Sequence, residues 1–398
     1  MRMDDIPVFA LRARVISVAI LLILMGLSAR GSAQVVRLDG SKISGPEIDQ
    51  TVARLMKEEH VIGAGVAVFN GGHISYLKTF GFRDAEKRLP LTPRSVMTAA
   101  SLTKAAFAVM VMKLVEDGTI QLDKPVFEYL PEPLPDYPGY TDLKGDPRYK
   151  LLTMRMLLDH TSGFPNLRRF TVDKKLSINF TPGTRFAYSG EGIRLAQFVV
   201  EKITQESTTT LMKQFVFKPL DMTRTSMIWE SRFRDDFANG YDEKGRSLGP
   251  ELRPAPDAAG SMQTTLHDYA LFVQALLQDK ILGRRSLREV FRPQIAIHSL
   301  HEFPSLDPQT TRENDSIALS YGLGFGLYRS PYGEAFFKEG HDEGWRHYVV
   351  GFRDVGSGIL IMTNSSNGED TYSGILETVL EDTFTPLDWE QFKPSRLH

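Results

Sequence analysis

The chain has 398 residues, 42% of them hydrophobic and 24% charged, with a net charge of −2 at neutral pH. That is ordinary globular material with enough apolar content for a large core, and the balanced charge offers no basic footprint, so no nucleic-acid partner is expected. The absence of cysteine excludes disulfides, zinc thiolate sites and a cysteine nucleophile.

At the amino end, Arg12 and Arg14 precede an apolar run from Val15 to Leu27 that leads into Gly31-Ser32-Ala33. The run is shorter than the roughly 20 residues a membrane-spanning helix needs, and its form is that of a secretory signal peptide over residues 1–33, cleaved after Ala33. A secreted or periplasmic location follows, with membrane contact only if the segment stays uncleaved. From Gly45 to His60, Ile48, Val52, Leu55 and Met56 recur at helical spacing. Val66 to Leu77 reads as two strands around the Gly71-Gly72 turn, continued by Phe80 to Asp84. A buried helix then begins near Ser101 and ends at Glu116-Asp117-Gly118.

The middle of the chain reads as helical, over 151–158, 193–203, 211–217 and 266–277, with a proline-rich loop from Pro131 to Pro138. The segment from His298 to Ser316 is polar and irregular, a long surface loop or a flap. Toward the carboxyl end, 321–328, 346–352 and 358–363 have strand character, and 375–380 closes as a helix. Sheet thus comes from both ends and helices from the middle. The fold class this predicts is α+β, an antiparallel sheet flanked by N- and C-terminal helices, with a helical insertion over approximately 120–320 of a domain spanning 34–398.

Ser101 and Lys104 stand three positions apart at the start of the central helix, so they share a face and the amine can accept the serine proton. A serine in the first helical turn also lies where free N–H groups favour an oxyanion. The same Ser-x-x-Lys spacing recurs at Ser75 and Lys78, but on a strand, where positions i and i+3 face apart; that copy is read as structural. His160 beside Asp159 and Ser162 cannot converge as a triad from adjacent positions, and no Gly-x-Ser-x-Gly elbow occurs. The histidines at 298, 301, 341 and 347 lack a metal-ligating pattern, so no metal and no cofactor is expected.

Read together, Ser101-Leu102-Thr103-Lys104, Leu157-Leu158-Asp159-His160-Thr161-Ser162-Gly163 and Phe215-Val216-Phe217-Lys218-Pro219-Leu220 resemble the serine β-lactamase and penicillin-binding-protein superfamily. The likeness is greatest to the branch of class C β-lactamases, D,D-peptidases and related esterases. The resemblance covers nearly the whole mature chain and implies a β-lactamase-like fold.

It also implies a second motif, Tyr-x-Asn, at Tyr188-Ser189-Gly190, where the asparagine is missing. By resemblance the Tyr188 phenol, its proton affinity lowered by Lys104, shuttles protons. The third motif, Lys-Thr-Gly or His-x-Gly, aligns with Gly340-His341-Asp342-Glu343-Gly344. His341 then takes the lysine's place, Gly344 supplies the second oxyanion N–H, and Glu343 stands on the His341 face, where its charge disfavours free-acid substrates. The expected function is an exported serine hydrolase acting on small esters or peptide-like amides, peptidoglycan-derived ones among them, through an acyl-Ser101 intermediate. The alternatives are an acylation-only binding module and a true β-lactamase.

Overall fold

A computed structural model describes residues 34–392; the expected signal peptide lies outside them. The organising element is a nine-stranded antiparallel sheet. Its strands in chain order are β1 (Gly63–Asn70), β2 (His73–Asp84), β3 (Leu89–Pro90), β4 (Ile295–Ala296), β5 (Ser320–Tyr321), β6 (Gly326–Ser330), β7 (Gly333–Asp342), β8 (Trp345–Phe352) and β9 (Ser357–Thr363). The spatial order is β4-β5-β6-β7-β8-β9-β1-β2-β3, so β9, late in the chain, pairs with β1, its first sheet strand.

Both faces of this sheet are covered, which is why β8 and β9 are apolar almost throughout and buried at every position. Alternation still sorts their side chains. Val66, Val68, Val350 and Ile361 pack with Ile48 and Val52 of helix α1 (Gly45–Glu58) and with Ile375 and Leu376 near the carboxyl end. Ala67, Phe69, Val349 and Leu360 pack on the opposite side with helices α2 (Leu102–Glu116) and α4 (Leu266–Leu277). Helix α1 starts with a full capping box between Ser44 and Glu47. Helix α3 (Gly190–Thr204) and the shorter helical turns lie between β3 and β4, the stretch read as helical.

One expected strand is interrupted. Residues 321–328 divide between β5 and β6 because Gly322–Phe325 forms a turn, with Gly322 N–H donating to Phe325 O at 2.8 Å. Gly324, at φ +84°, brings this turn so close to α2 that a Cβ there would stand 2.5 Å from Ala108 Cβ. Among the described residues no helix is long and apolar enough to cross a membrane.

Candidate active site

Ser101 sits at the start of α2 with helical dihedrals (φ −70°, ψ −8°) and makes no side-chain capping bond, so its hydroxyl is not spent on the helix end. The residue before it, Ala100, is held at φ +47°, a left-handed conformation costly for alanine. The surroundings enforce it: Ala99 N–H donates to Met262 O at 2.8 Å, and the Thr103 hydroxyl donates to Ala100 O at 2.6 Å. Lys104, one turn on, donates to Ser101 Oγ at 2.8 Å and to Ala259 O at 2.6 Å. Burial, helped by the nearby charge of Lys338, pulls its ammonium down to about 7. The second Ser-x-x-Lys pair is occupied elsewhere, Ser75 with Val68 O and Lys78 with Asp49.

Tyr188 is buried facing Lys104, whose nitrogen lies 5.0 Å from the ring centre. The segment carrying it is held by His160, whose Nδ1 accepts the Ser189 N–H at 3.2 Å while its carbonyl accepts the Ala187 N–H at 2.8 Å. His160 therefore positions the tyrosine. The expectation of a lowered Tyr188 proton affinity is corrected here. Burial first, then the charge of Glu339, raises the phenol well above its ordinary value, despite the Ser101 hydroxyl beside it. Tyr188 stays protonated, and the group poised to take a proton is Lys104.

The third motif is also corrected. The cation on the Tyr188 oxygen is Lys338, at 3.1 Å, and Lys338-Glu339-Gly340 is the Lys-x-Gly pattern, three positions before the alignment placed it. His341 is half-exposed at the cleft, its Nδ1 3.4 Å from Glu369. Glu343 and Gly344 form the turn between β7 and β8, so Glu343 is not on the strand face of His341, although it does line the cleft. The Gly344 N–H is taken by Ser366 Oγ at 2.8 Å and cannot meet an oxyanion. Arg346 pairs with Glu369 at 2.6 Å, not with Glu343.

Which strand amide does face the nucleophile follows from register. Ser330 and Gly333 close one two-residue hairpin, and Asp342 and Trp345 close the next. Closing pairs are hydrogen-bonded and bonded pairs alternate, so the odd-numbered residues of β7 aim their N–H groups toward β6. Strand β6 stops at Gly326, opposite Phe337, which leaves the amides of Glu339 and His341 on a free edge. Glu339 and His341 line the same cleft as Ser101, and a Cβ on Gly340 would stand 2.8 Å from Ala99 O, so this strand passes close to the start of α2.

Around these groups lies a cleft of about 600 Å³. At Gly190, where the resemblance calls for asparagine, a different amide is present. Asn166 Oδ1 accepts the Gly190 N–H at 3.2 Å, and a Cβ on Gly190 would stand 3.0 Å from Asn166 O. Asn166 lines the cleft. Asp257, paired with Arg194 at 2.7 Å, accepts the Ala259 N–H at 2.9 Å and so fixes the carbonyl that holds Lys104. Glu302, Glu339 and Glu390 complete the wall; their carboxylates converge as a cation-binding group would, with the Lys338 ammonium already against Glu339. Of these, Lys338 was legible as a Lys-x-Gly tripeptide, whereas Glu302 and Glu390 lie in segments without any periodic signal.

The chain is 25% identical over 366 residues to Penicillin-binding protein 4* of Bacillus subtilis (strain 168), covering 82% of this chain and 74% of that protein. It is 25% identical over 240 residues to Protein flp of Staphylococcus aureus (strain N315), covering 56% of this chain and 47% of that protein, about half its length. In fold it is similar to the octameric penicillin-binding protein homologue from Pyrococcus abyssi, with TM-score 0.69 at 21% identity over 85% of this chain and 77% of that one. It is likewise similar to D-amino acid amidase from Ochrobactrum anthropi SV3, with TM-score 0.65 at 21% identity over 83% and 98%. The model of the Beta-lactamase family matches residues 48–380, and the chain belongs to that family.

Proposed function

We propose that the protein is a serine hydrolase that acylates Ser101 with small esters or peptide-like amides. The observation that carries this is the buried Lys104 amine, 2.8 Å from Ser101 Oγ and drawn down to about 7, a base matched to neutral pH. In acylation the Ser101 proton passes to Lys104 Nζ as Oγ bonds to the substrate carbonyl carbon. The N–H groups of Ser101 and His341 receive the oxyanion; the first makes no backbone hydrogen bond among the described residues, and the second lies on the free edge of β7.

The bond to the leaving group then breaks. Tyr188 donates its phenolic proton to that group and is reprotonated from Lys104. Water attacks the acyl-serine in the reverse sense, with Lys104 again the base. Asn166, which lines the cleft with its Oδ1 turned to the Gly190 N–H, is the side chain assigned to donate to a substrate carbonyl in this reading. The named relatives, a penicillin-binding protein and a D-amino acid amidase, agree with ester or amide chemistry, and the signal-like run of residues 15–27 favours an exported enzyme.

The test is fluorophosphonate labelling followed by an ester and amide panel. Ser101→Ala should abolish both labelling and turnover while Ser75→Ala leaves them near wild type. Labelling without turnover of any substrate would replace the hydrolase by an acylation-only module.

A further inference from the structure

Serine acylation does not account for three carboxylic acids buried in the cleft wall. Glu302, Glu339 and Glu390 are 3%, 4% and 4% exposed, all line the cleft that holds Ser101, and each brings an oxygen within 4.8 Å of the others. Lys338 gives its ammonium to Glu339 and to the Tyr188 oxygen, and to neither Glu302 nor Glu390. One lysine against three acids leaves two without a counter-charge, and burying an uncompensated carboxylate is costly. Burial, and then the neighbouring acids, push Glu302 and Glu390 well above the ordinary carboxylate value and so disfavour a charge on either.

One more observation points to a donor that the described residues do not supply. Glu390 Oε2 accepts from the Tyr348 hydroxyl, but its buried Oε1 has no partner among the described residues. The acids are nevertheless firmly placed. Glu302 N–H donates to Trp389 O at 3.0 Å, Trp389 Nε1 donates to Ser299 Oγ at 3.2 Å, and the Phe303 ring meets Tyr188 edge-on at 5.5 Å.

We propose that Glu302, Glu339 and Glu390 form a subsite for a primary ammonium group of the substrate, so that the enzyme prefers esters or amides bearing a free amine. This rests on the hydrolase reading above. An ammonium carries three donors, and with N–H···O contacts of about 2.8 Å in tetrahedral directions its acceptors stand ~4.6 Å apart, a separation that three oxygens lying within 4.8 Å of one another can supply. Where Glu302 or Glu390 is protonated, entry of the ammonium displaces that proton to solvent and leaves a carboxylate–ammonium pair, and no other reactant is needed. A divalent metal suits the site less well, because its double charge would sit beside the Lys338 ammonium.

The experiment compares ω-amino p-nitrophenyl esters of increasing chain length with their N-acetyl counterparts. It is run on wild type, Glu302→Gln and Glu390→Gln, with circular dichroism to check folding, and calorimetry follows n-butylammonium, n-butanol and Mg²⁺ or Zn²⁺ binding. The expected result is a kcat/KM preference for the free amine of at least about tenfold at one or more chain lengths, shrinking toward one in both variants whatever their absolute rates. Should a variant fail to fold, the wild-type ratio and the butylammonium titration decide alone. Ser101 labelling with equal turnover of free and acetylated amines overturns the subsite and leaves the hydrolase standing. Saturable n-butylammonium binding without labelling or turnover upholds the subsite and removes the hydrolase. Metal binding without butylammonium binding, or no binding with no amine preference, overturns the proposal.

Discussion

A lysine that is to deprotonate serine must be neutral when substrate arrives, and the environment of Lys104 is built for this. It is buried, it faces a second lysine, and its two close partners are a hydroxyl and a carbonyl. Because the active form is the free amine, kcat/KM on an uncharged ester should be low in acid and rise to a plateau through a limb near pH 7. Lys104→Ala should cost at least about a hundredfold and remove that limb; a wild-type profile flat across pH 7 would take Lys104 out of the mechanism. The same displacement bears on stability. A lysine lowered in the folded state from 10.5 to about 7 penalises folding fully below the folded value, and the penalty fades as pH approaches the unfolded one. At about 1.4 kcal/mol per pH unit, Lys104→Met should therefore raise Tm at pH 6 and lose that advantage in strong alkali. Gly344 offers a contrasting residue. At φ +80°, with a Cβ position 2.9 Å from Gly240 Cα, Gly344→Ala should lose about 1–3 kcal/mol of stability, read by thermal melting, while the folded fraction keeps turnover within a few-fold. Lost turnover at unchanged stability would restore Gly344 to the oxyanion site.

At the scale of elements, legibility followed periodicity. Helix α4 was read at its observed bounds, Leu266–Leu277, and α1 by its four buried positions, because one polar face marks each. Strand β7 gave no such mark. It is buried from Ala335 through Gly340 and shows no alternating polar face, so only the Lys-x-Gly spacing could separate Lys338, which reaches Tyr188, from His341, which supplies the edge amide. Only the ends of β6 and the two hairpin turns fix that register. The Tyr-x-Asn motif failed differently, since the asparagine was sought on its own element while an amide comes from another. Asn166→Ala should lower kcat/KM on amide substrates by roughly tenfold, the scale of losing one hydrogen bond that positions the substrate. Gly190→Asn alone should also lose activity, because its Cβ would meet Asn166 Oδ1 at 3.3 Å and the Asn166 backbone oxygen at 3.0 Å, and Asn166→Gly relieves the first of these contacts. Combining it with Asn166→Gly should recover part of the loss, a coupling that a double-mutant cycle measures. Strictly additive losses would show that the two positions do not share one function.

On the scale of the whole molecule, the cleft draws on segments spread over most of the chain, from Ser101 to Phe392, and none of them carries a working group alone. Its far wall depends on the carboxyl end. Trp389 is buried against Phe186 at 5.9 Å and Phe337 at 6.5 Å, the first two residues before Tyr188 and the second next to Lys338. Its indole N–H and its carbonyl hold the 299–302 segment. Phe186 and Phe337 are thus braced from outside by a residue that touches neither Ser101 nor Lys104, and this coupling was invisible in a sequence where Trp389 follows an irregular tail. Trp389→Ala should cost about 3–5 kcal/mol by leaving a cavity, whereas Trp389→Phe should cost less because the ring is kept. If the tail serves the site as well as the core, turnover by folded Trp389→Ala should fall more than fluorophosphonate labelling of Ser101, since labelling needs only the nucleophile and Lys104 while release also needs Tyr188 in place. Measured below the melting transition, an equal fall in both would mean that Trp389 supports the fold alone.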